Sequence, residues 1–511
     1  MNSSIERVQV AIIGTGFAGL AMAIKLEEAG FSSFVLLEKS HQVGGTWRDN
    51  HYPGCACDIP AHLYSFSFEP NPDWSSAYAG QPEIQAYIER VVERHRLRPR
   101  IRFGAEVVAA ELDKSRAEWT LRTADGRLIV ADIVVTGTGG LSRPSVPKLP
   151  GLERFRGRSW HSAAWDHAFP LTGKTVAVIG TGASAIQFVP KIAPEVGRLD
   201  VFQRTPPWIL PRADHDFTPA EQRLFRLAPV RWLYRQRLYW QHEWRAVPFT
   251  LEPRILGMAQ RLAERHLAAQ IADPALRARL TPSYQMGCKR ILISNDYYPA
   301  LTRPNAEVVT DAIREVTADG LVTADGARRR YDAIVFGTGF AVHDYLGPIR
   351  VLGRGGQDLA ARWQRRAEAY LGTTVAGFPN LFILTGPNTG LGHNSIVFMI
   401  ESQVRYVISA LRHMRARSLA MVEPRADVMR RFNASLQERM KRTVWTSGCK
   451  NWYQDPSGVN TITWPGLTAE YMLRTWRFDP GDYELTPRER LPATNRRTAA
   501  VTSEARSLSG A

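Results

Sequence analysis

The sequence predicts an α/β fold made of two Rossmann-like dinucleotide-binding domains, the second carrying a helical insertion, and three observations predict it. First, a short apolar strand at 176–179 (V-A-V-I) runs into Gly180-x-Gly182-x-x-Ala185, followed by a helical pattern (Ile186, Val189, Ile192) and a second strand at 199–202. That is the strand, tight turn, helix and strand of a dinucleotide-binding βαβ unit. Second, the N-terminal region repeats the plan, with a strand at 8–13, Gly14-x-Gly16-x-x-Gly19 opening a helix (Leu20, Ala23, Ile24), and a strand at 34–37. Third, a strand closing on G-T-G occurs in both halves, at 137–139 and again at 337–339.

Each element of these units has a chemical reason. The glycines let the backbone turn sharply and approach a pyrophosphate, whose charge then sits at a helix N-terminus. Thr181 and Ser184 lie inside the second turn and are candidate cofactor contacts. The residue that ends the second strand decides the cofactor. Glu38 follows Gly14 by 24 residues, and Arg204 follows Gly180 by the same 24. An acid suits the free ribose diol of the adenosine of FAD, whereas a cation suits the 2′-phosphate of NADP. The expected cofactors are therefore FAD on the first unit and NADPH on the second.

After Glu38 come Gly44-Gly45-Thr46-Trp47. Flavin disulfide reductases often place a redox cysteine after a similar Gly-Gly-Thr, and here that place belongs to Trp47, so a disulfide-reductase reading loses its reacting group. Cys55 and Cys57, two apart, would form only a strained bridge and read as packing residues. Asp58 follows them, and then an aromatic run (Tyr64, Phe66, Phe68). This turn-rich segment should lie beside the first nucleotide, with Gly45, Thr46, Trp47, Asp58 and Tyr64 as candidate contacts.

The remaining elements follow in order. Residues 82–92 read as a helix, while 102–123 and 128–135 carry period-two strand signals around an Asp125-Gly126 hairpin. A Pro-rich stretch at 141–151 marks a boundary. The expected domains are 1–150 (first part of the FAD domain), 151–335 (NADP domain with a helical, Trp- and Arg-rich insert at about 218–272), 336–487 (return to the FAD domain) and 488–511, which has little to bury and reads as a disordered tail.

Composition narrows the function class. At 511 residues with 44% hydrophobic and 22% charged residues, the chain is that of an ordinary globular protein of several domains. No apolar run reaches the roughly 18 residues of a membrane span, and Arg7 leads straight into the first strand without a cleavable signal pattern. The net charge of +16 raises nucleic-acid binding, but the basic residues are scattered. They read as a solvated surface that also attracts an anionic cofactor. Four cysteines (Cys55, Cys57, Cys288, Cys449) lack zinc spacing, no metal is implied, and a cytoplasmic enzyme keeps its thiols reduced, which argues against structural disulfides.

Residues 155–166, F-R-G-R-S-W-H-S-A-A-W-D, match F-x-G-x-x-x-H-x-x-x-W-(P/D) in every specified position. With both glycine motifs and G-P-N-T-G-L-G-H-N-S at 386–395, the chain resembles the type I Baeyer-Villiger monooxygenases over roughly residues 8–480. The resemblance implies hydride transfer from NADPH to FAD, addition of O2 to give a flavin peroxide, and conversion of a ketone to an ester or lactone. It assigns Arg290, in Gly287-Cys288-Lys289-Arg290, as the catalytic arginine and Asp58 as the acid that aims it. Lys289 would hold the 2′-phosphate with Arg204 and Thr205, and Asn388 would contact cofactor. His161 takes a conformational role between the nucleotide domains. The family's usual Arg before the Cys-Asp step is Ala56 here, which leaves open how tightly the acid segment is held. Trp452 and Tyr453 resemble a substrate-loop aromatic pair and equally resemble core aromatics.

Two other functions stay open at this point. The same machinery can oxidise sulfur or nitrogen, although the related heteroatom oxidases usually carry Phe or Tyr where this chain has Trp165. A basic nucleic-acid-binding protein on a flavin-fold scaffold would instead show salt-dependent binding and no NADPH oxidation. The leading reading is a cytoplasmic monomer or weak homo-oligomer acting on a ketone and O2, with no nucleic acid and no membrane span.

Overall fold

The structure is a computed structural model in which residues 5–490 are described. The strand Glu6–Ile13 lies inside an eight-stranded sheet, paired in parallel with Phe34–Leu37 on one side (Val10 opposite Phe34) and Leu128–Thr136 on the other (Val10 opposite Ile133). Val10, Ala11 and Ile12 are wholly buried, as a strand covered on both faces should be. Val107–Asp113 and Glu118–Thr123 extend the sheet in antiparallel fashion. Two strands from much later in the chain join it, Arg350–Leu352 beside Val107–Asp113 and Leu381–Ile383 beside Leu128–Thr136.

A second, wholly parallel sheet has the order Ala306–Val309, Arg198–Phe202, Thr175–Ile179, Ala333–Phe336, Arg158–His161. Its edge strand is the stretch of the F-x-G-x-x-x-H signature, with Trp160 opposite Val335 and His161 opposite Phe336. Two small devices recur in the two units. In Thr123-Ala124-Asp125-Gly126 the threonine hydroxyl donates to the Asp125 carboxylate, and Gly126 takes φ +85°. Thr323-Ala324-Asp325-Gly326 repeats this, with Thr323 Oγ1 donating to Asp325 Oδ1 at 2.6 Å and Gly326 at φ +89°.

The two chain crossings between the sheets run side by side. Ser145 N donates to Gly339 O (2.8 Å) and Thr338 Oγ1 to Ser145 O (2.6 Å). The insert forms the helices Pro219–Phe225, Ala228–Glu243, Ala246–Thr250 and Leu256–Gln270. A capping box between Thr218 and Glu221 starts it. It runs past its expected end, because Asp273 caps a further helix, Pro274–Leu280, by accepting from Ala275 N and Leu276 N. The long helix Ile396–Ala416 packs on Phe17–Glu28, behind the first glycine turn.

Two expectations need correction. Cys288 and Cys449, 161 residues apart, form a disulfide with Cα atoms 6.2 Å apart, so the compartment argument against disulfides gives way to the proximity created by folding. The expected tail lies outside the described residues apart from 488–490, and Arg488 is built into the fold through an ion pair with Asp132 at 3.2 Å.

Candidate active site

The two glycine turns are shaped by their packing. Gly14 (φ +101°) and Gly180 (φ +107°) adopt left-handed backbone, and a Cβ on them would stand 2.7 Å from Gly137 O and 2.4 Å from Gly337 O. A Cβ on Gly19 would stand 1.9 Å from Gly14 O. The middle glycines differ: a Cβ on Gly16 meets nothing nearer than Gly45 Cα at 3.7 Å, and on Gly182 nothing nearer than Gly337 O at 3.8 Å. The protein itself does not require those two positions to be bare. They clear the space that a pyrophosphate approaching the backbone needs, so both cradles fit a dinucleotide.

Around the first cradle, Glu38 is buried at the strand end. Its Oε2 accepts from Thr15 N (3.1 Å) and Thr15 Oγ1 (2.6 Å), and its Oε1 from Ser40 N (2.9 Å) and Arg48 Nη1 (2.7 Å). Arg48, absent from the sequence reading, thus neutralises the acid expected to meet the ribose. Gly45 crosses directly over Gly16, and Thr46 opens the short helix Thr46–Asp49. Trp47 Nε1 donates to Tyr64 OH at 3.2 Å, which locks the two aromatics edge to face. Burial pushes the Cys55 thiol up to about 12 and Cys57 well above its ordinary value, as suits packing rather than reaction.

The second cradle has Thr181 Oγ1 donating to Thr205 O at 3.4 Å, and Arg204 is exposed beyond the strand. Lys289 sets its ammonium 4.7 Å from the centre of the Tyr284 ring. Partial burial, and then the nearby Arg204 charge, hold its pKa below the ordinary lysine value. Two cations that repel one another, neither paired to a carboxylate among the described residues, make a receptor for an anion.

Asp58 and Arg290, 232 residues apart in sequence, meet where the two units face each other. Arg290 Nε donates to Asp58 Oδ2 at 3.0 Å, Nη2 donates to the same oxygen, and Nη1 reaches Leu391 O at 3.5 Å. Both side chains are a little under one-third exposed. The Asp58 charge is the leading cause that raises the Arg290 pKa, so the guanidinium stays cationic at every working pH. Because both donors share one carboxylate oxygen, Asp58 fixes the plane of the guanidinium while Nη1 stays only loosely held.

What holds Asp58 comes from the other unit. Gln187, on the helix Ala185–Ile192 that follows the second glycine turn, donates through Nε2 to Ala56 O at 3.0 Å. Its Oε1 accepts from Ala56 N at 3.3 Å and from Tyr52 OH at 2.9 Å. One amide therefore clamps the acid-bearing segment to the second unit. On the arginine side, Gly287 turns at φ +90°, and the Cys288–Cys449 bridge ties the turn that carries Arg290 to the 449–453 loop. Asn451 Nδ2 adds a bond to Cys288 O at 3.0 Å.

The other expected residues are placed as follows. Asn388 is buried at φ +55°, and its amide donates to Asn460 O and Thr463 O, both at 3.0 Å. It braces the 386–395 loop. Trp452 and Tyr453 part company: the tyrosine is 1% exposed and the tryptophan 43%. His161 is buried, accepts from Ala163 N at 3.1 Å and packs edge-on against Phe340 in the return crossing. Burial lowers its pKa, so it is neutral. Trp165 packs on Phe188 of the Gln187 helix at 5.2 Å. A further network escaped the sequence reading: Glu243 of the insert accepts from Thr468 Oγ1 (2.6 Å), Asn394 Nδ2 (2.9 Å) and Ala469 N (2.9 Å), which pins the insert over the 386–395 loop.

Residues 11–218 match the family model described as pyridine nucleotide-disulphide oxidoreductase. A Baeyer-Villiger monooxygenase of Pseudomonas aeruginosa is 51% identical over 487 residues, covering 95% of this chain and 92% of that protein. One from Streptomyces coelicolor is 50% identical, covering 94% and 93%. Among solved structures, an oxidized steroid monooxygenase bound to NADP superposes with TM-score 0.84 at 29% identity, covering 94% of this chain and 99% of that one. A closed cyclohexanone monooxygenase gives 0.84 at 29% identity, covering 95% and 100%.

Proposed function

Since the chain belongs to the Baeyer-Villiger monooxygenases, we propose that Arg290, aimed by Asp58, is the residue that makes it act on ketones. It is an FAD- and NADPH-dependent monooxygenase, and the overall reaction takes ketone, O2, NADPH and a proton to ester or lactone, water and NADP+. FAD, when bound, would supply the redox chemistry, as acceptor of hydride from NADPH and activator of O2.

The protein's own residues do the rest. Gly14, Gly16, Gly19, Glu38, Gly45, Thr46, Trp47 and Tyr64 hold the flavin nucleotide. Gly180, Thr181, Gly182, Ser184 and Thr205 hold the nicotinamide nucleotide, with Arg204 and Lys289 on its 2′-phosphate. Arg290 sets a fixed cation in the cleft between them. Nucleophilic attack on a ketone puts negative charge on the carbonyl oxygen, and a preorganised guanidinium stabilises that charge without reorganising. Asp58 keeps the guanidinium in plane, and Gln187 keeps Asp58 in register with the second unit.

The observation that carries this reading is the Arg290–Asp58 pair at the meeting of the two units. We place the enzyme in the cytoplasm, as a monomer or weak homo-oligomer. Mass analysis of products from linear, cyclic and aryl ketones and from a thioether, with NADPH and O2, tests it. Ester or lactone from at least one ketone, faster than sulfoxide, is expected; sulfoxide alone would move the enzyme to heteroatom oxidation.

A further inference from the structure

The helical insert presents a second surface, on the side away from its contacts with the 386–395 loop. Along Ala228–Glu243 and its C-cap, Leu238, Tyr239, His242 and Glu243 face inward. Leu233, Arg237, Trp240 and Trp244 fall at spacings of four, three and four, which is one stripe of a helix, and all four are exposed. The next segment continues in kind. Leu251 is 68% exposed and Met258 64%, more than an isolated surface aliphatic requires. On Leu256–Gln270, where Leu256, Ala263 and Leu267 are buried, the outer stripe reads Met258, Arg261, Leu262, Arg265. Trp244, at 69% exposure, is among the most exposed apolar side chains described.

The insert is net basic, with Glu252 and Glu264 the acids exposed on these segments. Residues 218–272 hold nine arginines against four acids, and one of those acids, Glu243, is buried in the network already described. Among the described residues Arg237, Arg245, Arg261 and Arg265 form no ion pair with a carboxylate. Large apolar side chains alternating with unpaired arginines on helix faces are a poor fit to water and a good fit to the boundary of a bilayer. There tryptophan rings sit at headgroup depth and guanidinium groups meet lipid phosphates.

We propose that the exposed stripes of the insert, Leu233, Trp240 and Trp244 on one helix and Leu251, Met258 and Leu262 on the segment after it, dock the enzyme on the surface of an anionic lipid bilayer. The attachment is peripheral, and no helix among the described residues is long and apolar enough to cross a membrane. Association of two copies through this face is disfavoured, since a two-fold contact would set the same arginines against one another. A protein partner would need a matching acidic and apolar surface, whereas anionic lipid supplies both parts at once. The inward side of the insert touches the active site: a Cβ on Gly287 would meet Leu256 Cδ1 at 2.8 Å and Phe249 Cε1 at 3.4 Å. Docking therefore brings the segment that carries Arg290 close to a reservoir of apolar ketones.

The test is flotation of the full-length, FAD-loaded protein with vesicles of phosphatidylcholine alone and with added phosphatidylglycerol. The protein should float with the anionic vesicles, much less with the neutral ones, and less as salt is raised. Each arginine at the surface contributes roughly a fivefold factor, so Arg237→Glu/Arg261→Glu should lower binding by at least that much. Trp240→Ser/Trp244→Ser should lower it roughly tenfold. Both variants should keep the flavin spectrum and NADPH oxidation in solution, since these side chains lie outside the cofactor and catalytic positions. The proposal is overturned if the protein fails to float with anionic vesicles, or if both variants float as the parent does. Sedimentation velocity gives the third refutation: a dimer that Trp240→Ser/Trp244→Ser dissolves would assign the face to a second copy of the chain.

Discussion

Replacing Asp58 by Asn probes how far the arginine's aim, as distinct from its presence, controls oxygen transfer. The variant keeps the shape of the side chain and removes its charge. In the parent, Nε at 3.0 Å and Nη2 both donate to Oδ2. The charged guanidinium can still donate to the amide oxygen of Asn, so what is lost is the ion-pair part of the interaction, roughly 1–1.5 kcal/mol for each of the two contacts before screening. Both side chains are close to one-third exposed, which screens the Coulomb part. Losing the charge assistance should therefore cost about 2 kcal/mol of alignment, or roughly thirtyfold in the rate of ester formation. The arginine remains charged and in the cleft, so some activity persists. Oxidation of NADPH should change little, because neither Asp58 nor Arg290 is among the groups assigned to the 2′-phosphate. The assay is ester formed per NADPH consumed, with hydrogen peroxide measured in parallel. Asp58→Asn should lower that ratio and raise peroxide. An unchanged ester rate with an unchanged ratio would refute the positioning role.

Three further outcomes follow from single observations. Arg204→Ala should shrink the preference for NADPH over NADH mainly through KM, since the contact is remote from the reacting bond; equal use of both cofactors by the parent would remove the basis for this role. Burial holds the His62 and His242 pKa values down to about 4 and that of His393 to about 3. The unfolded chain takes up these protons near pH 6.5 while the folded chain resists, so their stabilisation is present above that pH and lost as pH falls toward the folded values. Urea midpoints should decline between pH 6.5 and about 4, with an upper bound of about 4 kcal/mol per pH unit from three protons, and a flat profile would contradict the burial of these rings. Thiol titration of the denatured, unreduced protein should find Cys55 and Cys57 alone. Cys288→Ser should lower stability by about 2–4 kcal/mol, and titration of all four thiols would show the bridge absent in solution.

The nucleotide-binding units were legible because backbone geometry dictates them. Gly14 and Gly180 sit where only glycine is unstrained, and the decision residues Glu38 and Arg204 follow at fixed distance. The two faces of each turn therefore announce themselves in one dimension. The Arg290–Asp58 pair was reachable only through resemblance to a family, since a 232-residue separation has no periodic signature. Gln187 was invisible for another reason: an amide on an amphipathic helix reads as a solvated position, and its clamp on Ala56 exists only once two units meet. Cys288 and Cys449 looked unpaired because compartment arguments are blind to proximity. Asn388 sits in a motif whose family role suggests ligand contact, while its left-handed backbone and buried amide serve the loop itself. The sequence marks the insert as helical and Trp- and Arg-rich without showing which tryptophans are exposed, because periodicity locates two faces but not which of them is left uncovered.

The most direct test of the account is Arg290→Ala, followed through both halves of the reaction. The account predicts that the protein still binds FAD and is still reduced by NADPH, because the Gly14 and Gly180 cradles and the Arg204–Lys289 receptor are untouched. Ester formation should fall roughly a hundredfold or more, as when a preorganised donor is removed from a developing negative charge, and the oxygen consumed should leave as hydrogen peroxide. An Arg290→Ala enzyme that makes ester at close to the parent rate would contradict the account and shift the catalytic cation to Lys289 or to the 386–395 loop.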